Sequence, residues 1–404
     1  MTKPKLRFKQ FATKWISSQL SDVEIKVIDG DRGSNYPSKS DFKPQGYCLF
    51  LNAGNVTKEG FSFQNVVFIS KQKDSILRKG KLDRYDLIMT TRGSVGNIAF
   101  YSSKISFENI RINSGMVILR SKGNILPEYF YYYLKSYKFT SWLSKVTFGS
   151  AQPQLTVKLI NSFPLFYTEK EEQQKIAAFL SSIDAKITLQ TRKVELLQQY
   201  KKGMMQKLFS QKIRFKDDDG NNFPKWTRQS ISDVAEVNPK SKALPDDFIY
   251  IDLESVQSGR IVQFKKTSKI NAPSRAQRLL KFDDVLFQLV RPYQKNNLHF
   301  REQQVCVAST GYAQLRAKCN AAFLFQLLHL DDFTDQVMNR CTGTSYPAIN
   351  SSDLASIQCE IPCLEEQRKI ANFLVSIDDK IILENTKLDK LKQWKQGLLQ
   401  QMFV

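Results

Sequence analysis

Apolar residues recur at alternating steps of four and three along two stretches of the chain. The first runs Ile176, Leu180, Ile183, Ile187, Gln190, Val194, Leu197, Lys201, Met204, Leu208. The second runs Ile370, Leu374, Ile377, Ile381, Glu384, Leu388, Leu391, Lys395, Leu398, Met402. A seam of this kind, kept up over more than four heptads, predicts a long helix whose stripe packs against another helix. Neither stretch contains proline, and Gly203 and Gly397 sit near the ends, where glycine costs least. Two polar residues interrupt each seam at matching places, Gln190 with Glu384 and Lys201 with Lys395, and such residues commonly fix register. Phe179, Phe373, Tyr200 and Trp394 lie beside the seam and widen its apolar face. The simplest partner for each helix is the other, which gives an antiparallel coiled coil; the competing arrangement packs each helix on its own module.

The two stretches are copies. Residues 171–209 and 365–403 align at a constant offset of 194 and agree at 21 of 39 positions without a gap. The same offset carries Gly149 onto Gly343 and Pro153 onto Pro347, and the openings LRF with Trp15 and IRF with Trp226 also match. A fixed period is the mark of a duplicated unit. The predicted organisation is a module over 1–170, a helix over 171–210, a second module over 211–364 and a second helix over 365–404.

Both modules read as mixed α and β, in a twisted open sheet or partial barrel. Residues 47–51, 66–69, 85–89 and 116–119 predict buried strands in the first, and 248–253, 285–290 and 313–315 in the second. A helix is predicted over 127–137, opened by Pro127, and another over 320–337.

Composition sharpens this picture. The chain has 404 residues, is 42% hydrophobic and carries a net charge of +21. That excludes a mostly disordered chain and points to a polyanionic partner, nucleic acid or an anionic membrane surface. The charge is uneven: residues 1–212 hold 34 lysines and arginines against 16 acids, and residues 213–404 hold 26 against 23, net +18 and +3. The first half should therefore supply more of the phosphate attraction. No apolar run reaches the roughly 18 residues of a membrane span, and the N-terminus lacks a signal-peptide core, so a cytoplasmic protein is expected. Six cysteines without a CxxC pair and two histidines argue for buried thiols rather than a metal site.

Binding residues are sought in loops that follow strands. Arg92, Gly93 and Ser94 open one such loop, and Arg291, Tyr293, Gln294, Lys295 and Asn296 the corresponding one in the second module. Arg and Lys pair with guanine edges, Asn and Gln with adenine. Gly149, Ser150, Gln152 and Gln154 precede the first long helix, and Thr344 and Tyr346 the second, where small polar groups beside a prolyl turn suit phosphate or base contacts. Ordinary solvated loops would look the same one residue at a time.

Catalytic motifs are not found. There is no Walker A run, no GxGxxG and no Asn-Pro-Pro-aromatic sequence, since Asn238-Pro239 is followed by Lys240. Gly93 to Gly96 matches a GxxG spacing with no helical pattern around it. Asp184-x-Lys186 and Asp378-x-Lys380 sit on the long helices, where charge pairing accounts for them better than a nuclease centre. No catalytic and no metal-binding residue is predicted.

Two modules, two near-identical helices opening Glu-Glu-Gln-x-Lys-Ile-Ala at 171 and 365, and the LRF/IRF…Trp openings resemble the specificity (S) subunit of type I restriction-modification systems. The resemblance covers essentially the whole chain. It implies two target-recognition domains, each reading one half of a bipartite double-stranded DNA site, with paired helices measuring the unspecified spacer. It implies a non-catalytic subunit that docks two methyltransferase and two restriction subunits, with S-adenosylmethionine, ATP and Mg²⁺ held by those partners and none by this chain. The modules differ from each other, so the site should be asymmetric. A stand-alone nuclease and an architectural coiled-coil protein binding RNA or DNA are the alternatives; cleavage by the chain alone with Mg²⁺ would favour the first, and preference for RNA over duplex DNA the second.

Overall fold

The structure, a computed structural model, describes residues 3–147, 154–241 and 243–404. The chain divides into two compact units, one of residues 1–191 with 386–404, the other of residues 192–385. Each long helix is therefore shared: its N-terminal half belongs with the module before it, its C-terminal half with the other unit. The helices span Lys170–Phe209 and Leu364–Gln401, close to the limits that the heptad pattern predicts.

In the first unit a four-stranded antiparallel sheet runs in the order Ile25–Asp29, Met116–Ser121, Leu87–Thr90, Ile98–Phe100. A second sheet orders Val67–Ile69, Cys48–Leu51 and Ile110–Ile112, the last two parallel. Alternate side chains enter different cores, as a strand's period of two requires. Leu87, Met89, Val117 and Leu119 pack toward the helices, while Ile88, Met116 and Ile118 meet Leu49 and Leu51 of the second sheet. Cys48 and Phe50 face a third cluster on the far side. With both faces covered, the strands read as unbroken apolar runs.

The second unit repeats this plan. The strands Ala235–Val237, Tyr312–Ala317, Asp284–Gln288 and Leu298–His299 form one sheet, and Lys265–Ser268, Asp247–Ile251, Cys306–Ser309 and Ala276–Leu279 the other. Val285, Phe287, Ala313 and Leu315 pack toward the helices; Leu286 and Tyr312 pack against Ile249 and Ile251. The helix predicted over 320–337 is two, Ala321–Leu327 and Asp331–Met338. Leu330 is extended, and Asp331 and Asp332 favour a new helix N-terminus through the helix dipole. The helix predicted over 127–137 likewise ends at Lys135, and a new one runs Tyr137–Thr147.

The repeated motifs meet where each module joins its helix. The second glutamate of each Glu-Glu-Gln is fully buried and grips the opening arginine through two parallel bonds. Glu172 takes Arg7 Nε and Nη2, both at 2.7 Å; Glu366 takes Arg214 Nε at 3.0 Å and Nη2 at 2.6 Å. Trp226 Nε1 donates to Glu366 at 3.0 Å, whereas the buried Trp15 Nε1 has no partner among the described residues. The adjacent glutamine clamps the module: Gln173 accepts from the Leu126 amide at 2.8 Å, and Gln367 from the Asn320 amide at 3.0 Å. The lead-in to each helix is a strand, Pro164–Tyr167 on Ile16–Gln19 and Gln358–Ile361 on Thr227–Ser230.

The seam residues are buried or half-buried: Ile176, Leu180, Ile183, Val194, Ile370, Leu374, Ile377 and Leu388 are inside, and Ile187, Leu197, Ile381 and Leu391 lie at its margin. In the second unit Lys193 pairs with Glu384 at 3.0 Å and Lys201 with Asp378 at 2.7 Å, so one helix segment descends as the other ascends. In the first unit Lys395 pairs with Asp184, which also accepts from Tyr132 Oη at 2.8 Å. The matching Asp378 accepts from Gln326 Nε2 at 2.8 Å. The Asp-x-Lys aspartates thus tie helix to helix and helix to module. Among the described residues no cluster of His, Cys, Asp and Glu could hold a metal, and no helix is long and apolar enough to cross a membrane.

Glu366→Ala leaves Arg214 and the Trp226 indole without their acceptor, and should destabilise the second unit by about 3 kcal/mol. Calorimetric unfolding checks this, and a loss below about 1 kcal/mol would contradict the role given to the carboxylate. His329 supplies a second test. Its Nδ1 bonds the Phe325 carbonyl at 2.7 Å, and burial pushes its pKa down from 6.5 to about 4, with Lys201 and Lys295 acting in the same direction and the Phe325 carbonyl and Asp378 opposing. The unfolded chain then binds a proton near pH 6.5 that the folded chain refuses until about pH 4. Stability should fall as pH drops through that window, and His329→Gln should flatten that part of the stability–pH curve.

Candidate nucleic-acid interface

In each unit the loop after a central strand is held by the same pair of backbone bonds. In the first unit the Thr91 amide bonds the Gly115 carbonyl at 2.8 Å, and the Thr91 carbonyl accepts from the Leu155 amide at 3.1 Å. In the second the Leu289 amide bonds Gly311 at 3.0 Å, and the Leu289 carbonyl accepts from the Ile349 amide at 3.1 Å. The loop after the central strand is thereby fastened to the chain leading into the short helix Val157–Asn161 or Ser351–Ala355. Each loop closes on an asparagine whose amide donates to a valine carbonyl, Asn97 to Val56 and Asn296 to Val256.

Inside this common frame the loops differ. The first is Arg92-Gly-Ser-Val-Gly96, the second Val290-Arg-Pro-Tyr-Gln-Lys295. Both turn through left-handed backbone at two places. Gly93 and Gly96 take them at φ +69° and +83°; Arg291 and Lys295 take them at +54° and +52°. A side chain in that region costs about 1–2 kcal/mol that glycine avoids. A Cβ at Gly96 would lie 2.2 Å from Leu143 Cδ2, so that side chain would have to move aside.

Arg92, Gly93, Ser94 and Gln154 are exposed, and the Ser94 carbonyl accepts from the Thr90 hydroxyl. Gly149, Ser150 and Gln152 lie outside the described residues. In the second unit Tyr293, Gln294, Thr344 and Tyr346 are exposed, and Arg291, Lys295 and Asn296 are half-buried. Several of these side chains are occupied within the protein. Lys295 Nζ donates to the His329 carbonyl at 2.9 Å and to Asp331 at 2.6 Å. Gln294 Oε1 accepts from Gln288 Nε2 at 2.9 Å, and Asn296 holds the Leu253 and Val256 carbonyls. Arg291 and Tyr346 meet directly: the guanidinium lies 4.2 Å from the ring centroid, and the Arg291 amide bonds the Pro347 carbonyl at 2.7 Å.

Sequence reasoning passed over residues 260–275. There Val262, Phe264 and Ile270, the last 95% exposed, stand among exposed Arg260, Lys266, Lys269 and Arg275. The available signal is a run of basic residues interleaved with apolar ones that follow no core periodicity. It also missed the union of Arg7 with Glu172 and of Arg214 with Glu366, although it noted both motifs.

Comparison with known proteins bears on this arrangement. Residues 13–199 and 224–393 match the family described as type I restriction modification DNA specificity domain. The chain is 26% identical over 406 residues to the type I restriction enzyme MjaVIII specificity subunit of Methanocaldococcus jannaschii, covering 95% of this chain and 91% of the relative. It is 25% identical over 186 residues to the HindI specificity subunit of Haemophilus influenzae, covering 45% of this chain and 39% of the relative. Its fold is similar to that of the S subunit of a type I restriction-modification system from M. genitalium, with a TM-score of 0.61, 15% identity and coverage of 100% and 99%. A further solved chain, from work on complex assembly and conformational transition of the type I R-M system, gives 0.56, 18% identity and coverage of 95% and 96%. With matches over both units and most of its length, the chain belongs to the type I restriction-modification DNA specificity family.

Proposed function

We propose that this chain is the DNA-reading, non-catalytic subunit of a type I restriction-modification enzyme. Each unit reads one half of an asymmetric bipartite duplex site. The long helices set the unspecified spacer between the halves. Two methyltransferase and two restriction subunits dock on the chain and bring S-adenosylmethionine, ATP and Mg²⁺, and the complex works in the cytoplasm.

One observation carries this reading: in both units the same backbone bonds fasten the loop after the central strand to the chain entering the short helix, while the residues of that loop differ. A fixed frame with variable contents is what two readers of unlike half-sites need. The excess of basic residues in 1–212 supports a phosphate-binding role that weighs more on the first half. The specificity-subunit names of its relatives agree.

The test is to assemble the chain with its methyltransferase subunits and sequence the methylated adenines. Exchanging the first module for another should change one half-site and leave the other intact; methylation of all sequences alike would overturn the proposal. Inserting one heptad at matching places in both long helices adds about 10.5 Å and should lengthen the spacer by two or three base pairs at roughly 3.4 Å each. An unchanged spacer would contradict the ruler.

A further inference from the structure

We infer that Arg291, stacked on Tyr346, is the residue through which the second unit recognises a guanine, with Tyr346 as its positioning residue. This rests on the reading above that the unit contacts duplex DNA, and goes beyond it by naming the contact and the base.

The two loops share one frame, and at the two left-handed places the first unit uses glycine, the least strained choice. The second unit places side chains at both. Strain of this kind persists where the surroundings hold it, and it gathers at functional positions. For Lys295 an internal account exists, since its ammonium is bonded to Asp331 and to the His329 carbonyl. The Arg291 backbone is held by bonds to Pro347 and Gln294, but its guanidinium is not accounted for in the same way: among the described residues it has the Tyr346 ring and no hydrogen-bond acceptor.

Lys295 spends its ammonium and Asn296 its amide N–H groups inside the protein, whereas Gln294 commits only its Oε1. Beside the exposed Tyr293, Gln294, Thr344 and Tyr346, the loop pair carries one guanidinium, that of the half-buried Arg291. A guanidinium lying over a ring uses its flat face and leaves its N–H edge free. Those donors form a planar fork that matches O6 and N7 of guanine in the major groove, a match no other base edge offers. The Arg291 amide bond to Pro347 fixes the root of the side chain, and Tyr346, one residue away from that proline, fixes its plane. In the first unit Gly93 occupies the equivalent place, and Arg92 sits one residue earlier. The two arginines therefore take different stances and need not read the same base.

The experiment uses the full chain assembled with its methyltransferase subunits, and reads both the methylated motif and competition binding against duplexes altered one base at a time. Arg291→Ala should relax discrimination at one guanine of one half-site by roughly tenfold or more, with the other half-site unchanged. Arg291→Lys should fail to restore it, because an ammonium lacks the fork. Tyr346→Phe should keep the wild-type motif, and Tyr346→Ala should relax the same base as Arg291→Ala. Arg92→Ala should leave that base untouched. A uniform loss of affinity for all sequences with a shallower salt dependence would make Arg291 a phosphate contact and overturn the inference, as would an unchanged motif. If the unaltered complex shows no motif at all, the DNA-reading assignment itself falls, and the inference with it.

Discussion

The buried carboxylate at the second position of each Glu-Glu-Gln is the contact on which the rest depends. Glu172 and Glu366 lie fully out of water, where an unpaired charge would be costly, and each is neutralised by an arginine from the start of its module. Because the two bonds run in parallel, they fix orientation as well as distance. That joint decides where the module stands on its helix. The neighbouring glutamine then positions the helix that covers the sheet, and the sheet positions the loops.

Much of this was legible in the sequence, for identifiable reasons. The long helices were, because a seam kept over many turns predicts a packed helix, and the duplication was, because one offset of 194 carries Gly149 onto Gly343 and Phe209 onto Phe403. Strands such as Cys48–Leu51, Leu87–Thr90 and Asp284–Gln288 were found as apolar runs, whereas Ile25–Asp29, Ile110–Ile112, Lys265–Ser268 and Cys306–Ser309 were passed over. The break near His329 was not legible, because an apolar period survives across it while the backbone turns extended at Leu330 and a new helix starts at Asp331. The candidate loops were located by residue type, yet type could not tell which side chains were committed elsewhere. Lys295 and Asn296 look like base readers until Asp331 and the Val256 carbonyl are found against them. Likewise, the arginine–glutamate joints join residues more than 150 positions apart, a distance over which one sequence carries no pairing information.

The two units show how one fold can hold unlike contents. What repeats is internal: the arginine–glutamate joint, the glutamine clamp, the asparagine–valine bond and the fastening of the loops. What differs lies on the loops: glycines and a serine on one, arginine and tyrosine on the other. Energy is concentrated in the first set, so the second can change with little effect on folding.

The aspartate–lysine pairs have a consequence for assembly. Asp184 with Lys395 and Asp378 with Lys201 are the same chemistry at the same repeat positions. Nothing in those charges distinguishes the second helix of one molecule from that of its neighbour. Choice between them falls to the tether: the intervening module keeps the chain's own partner at a high local concentration, which a separate copy must exceed to compete. Fidelity of pairing is then a property of chain connectivity, and crowding many copies together is the condition under which the segments would begin to trade partners.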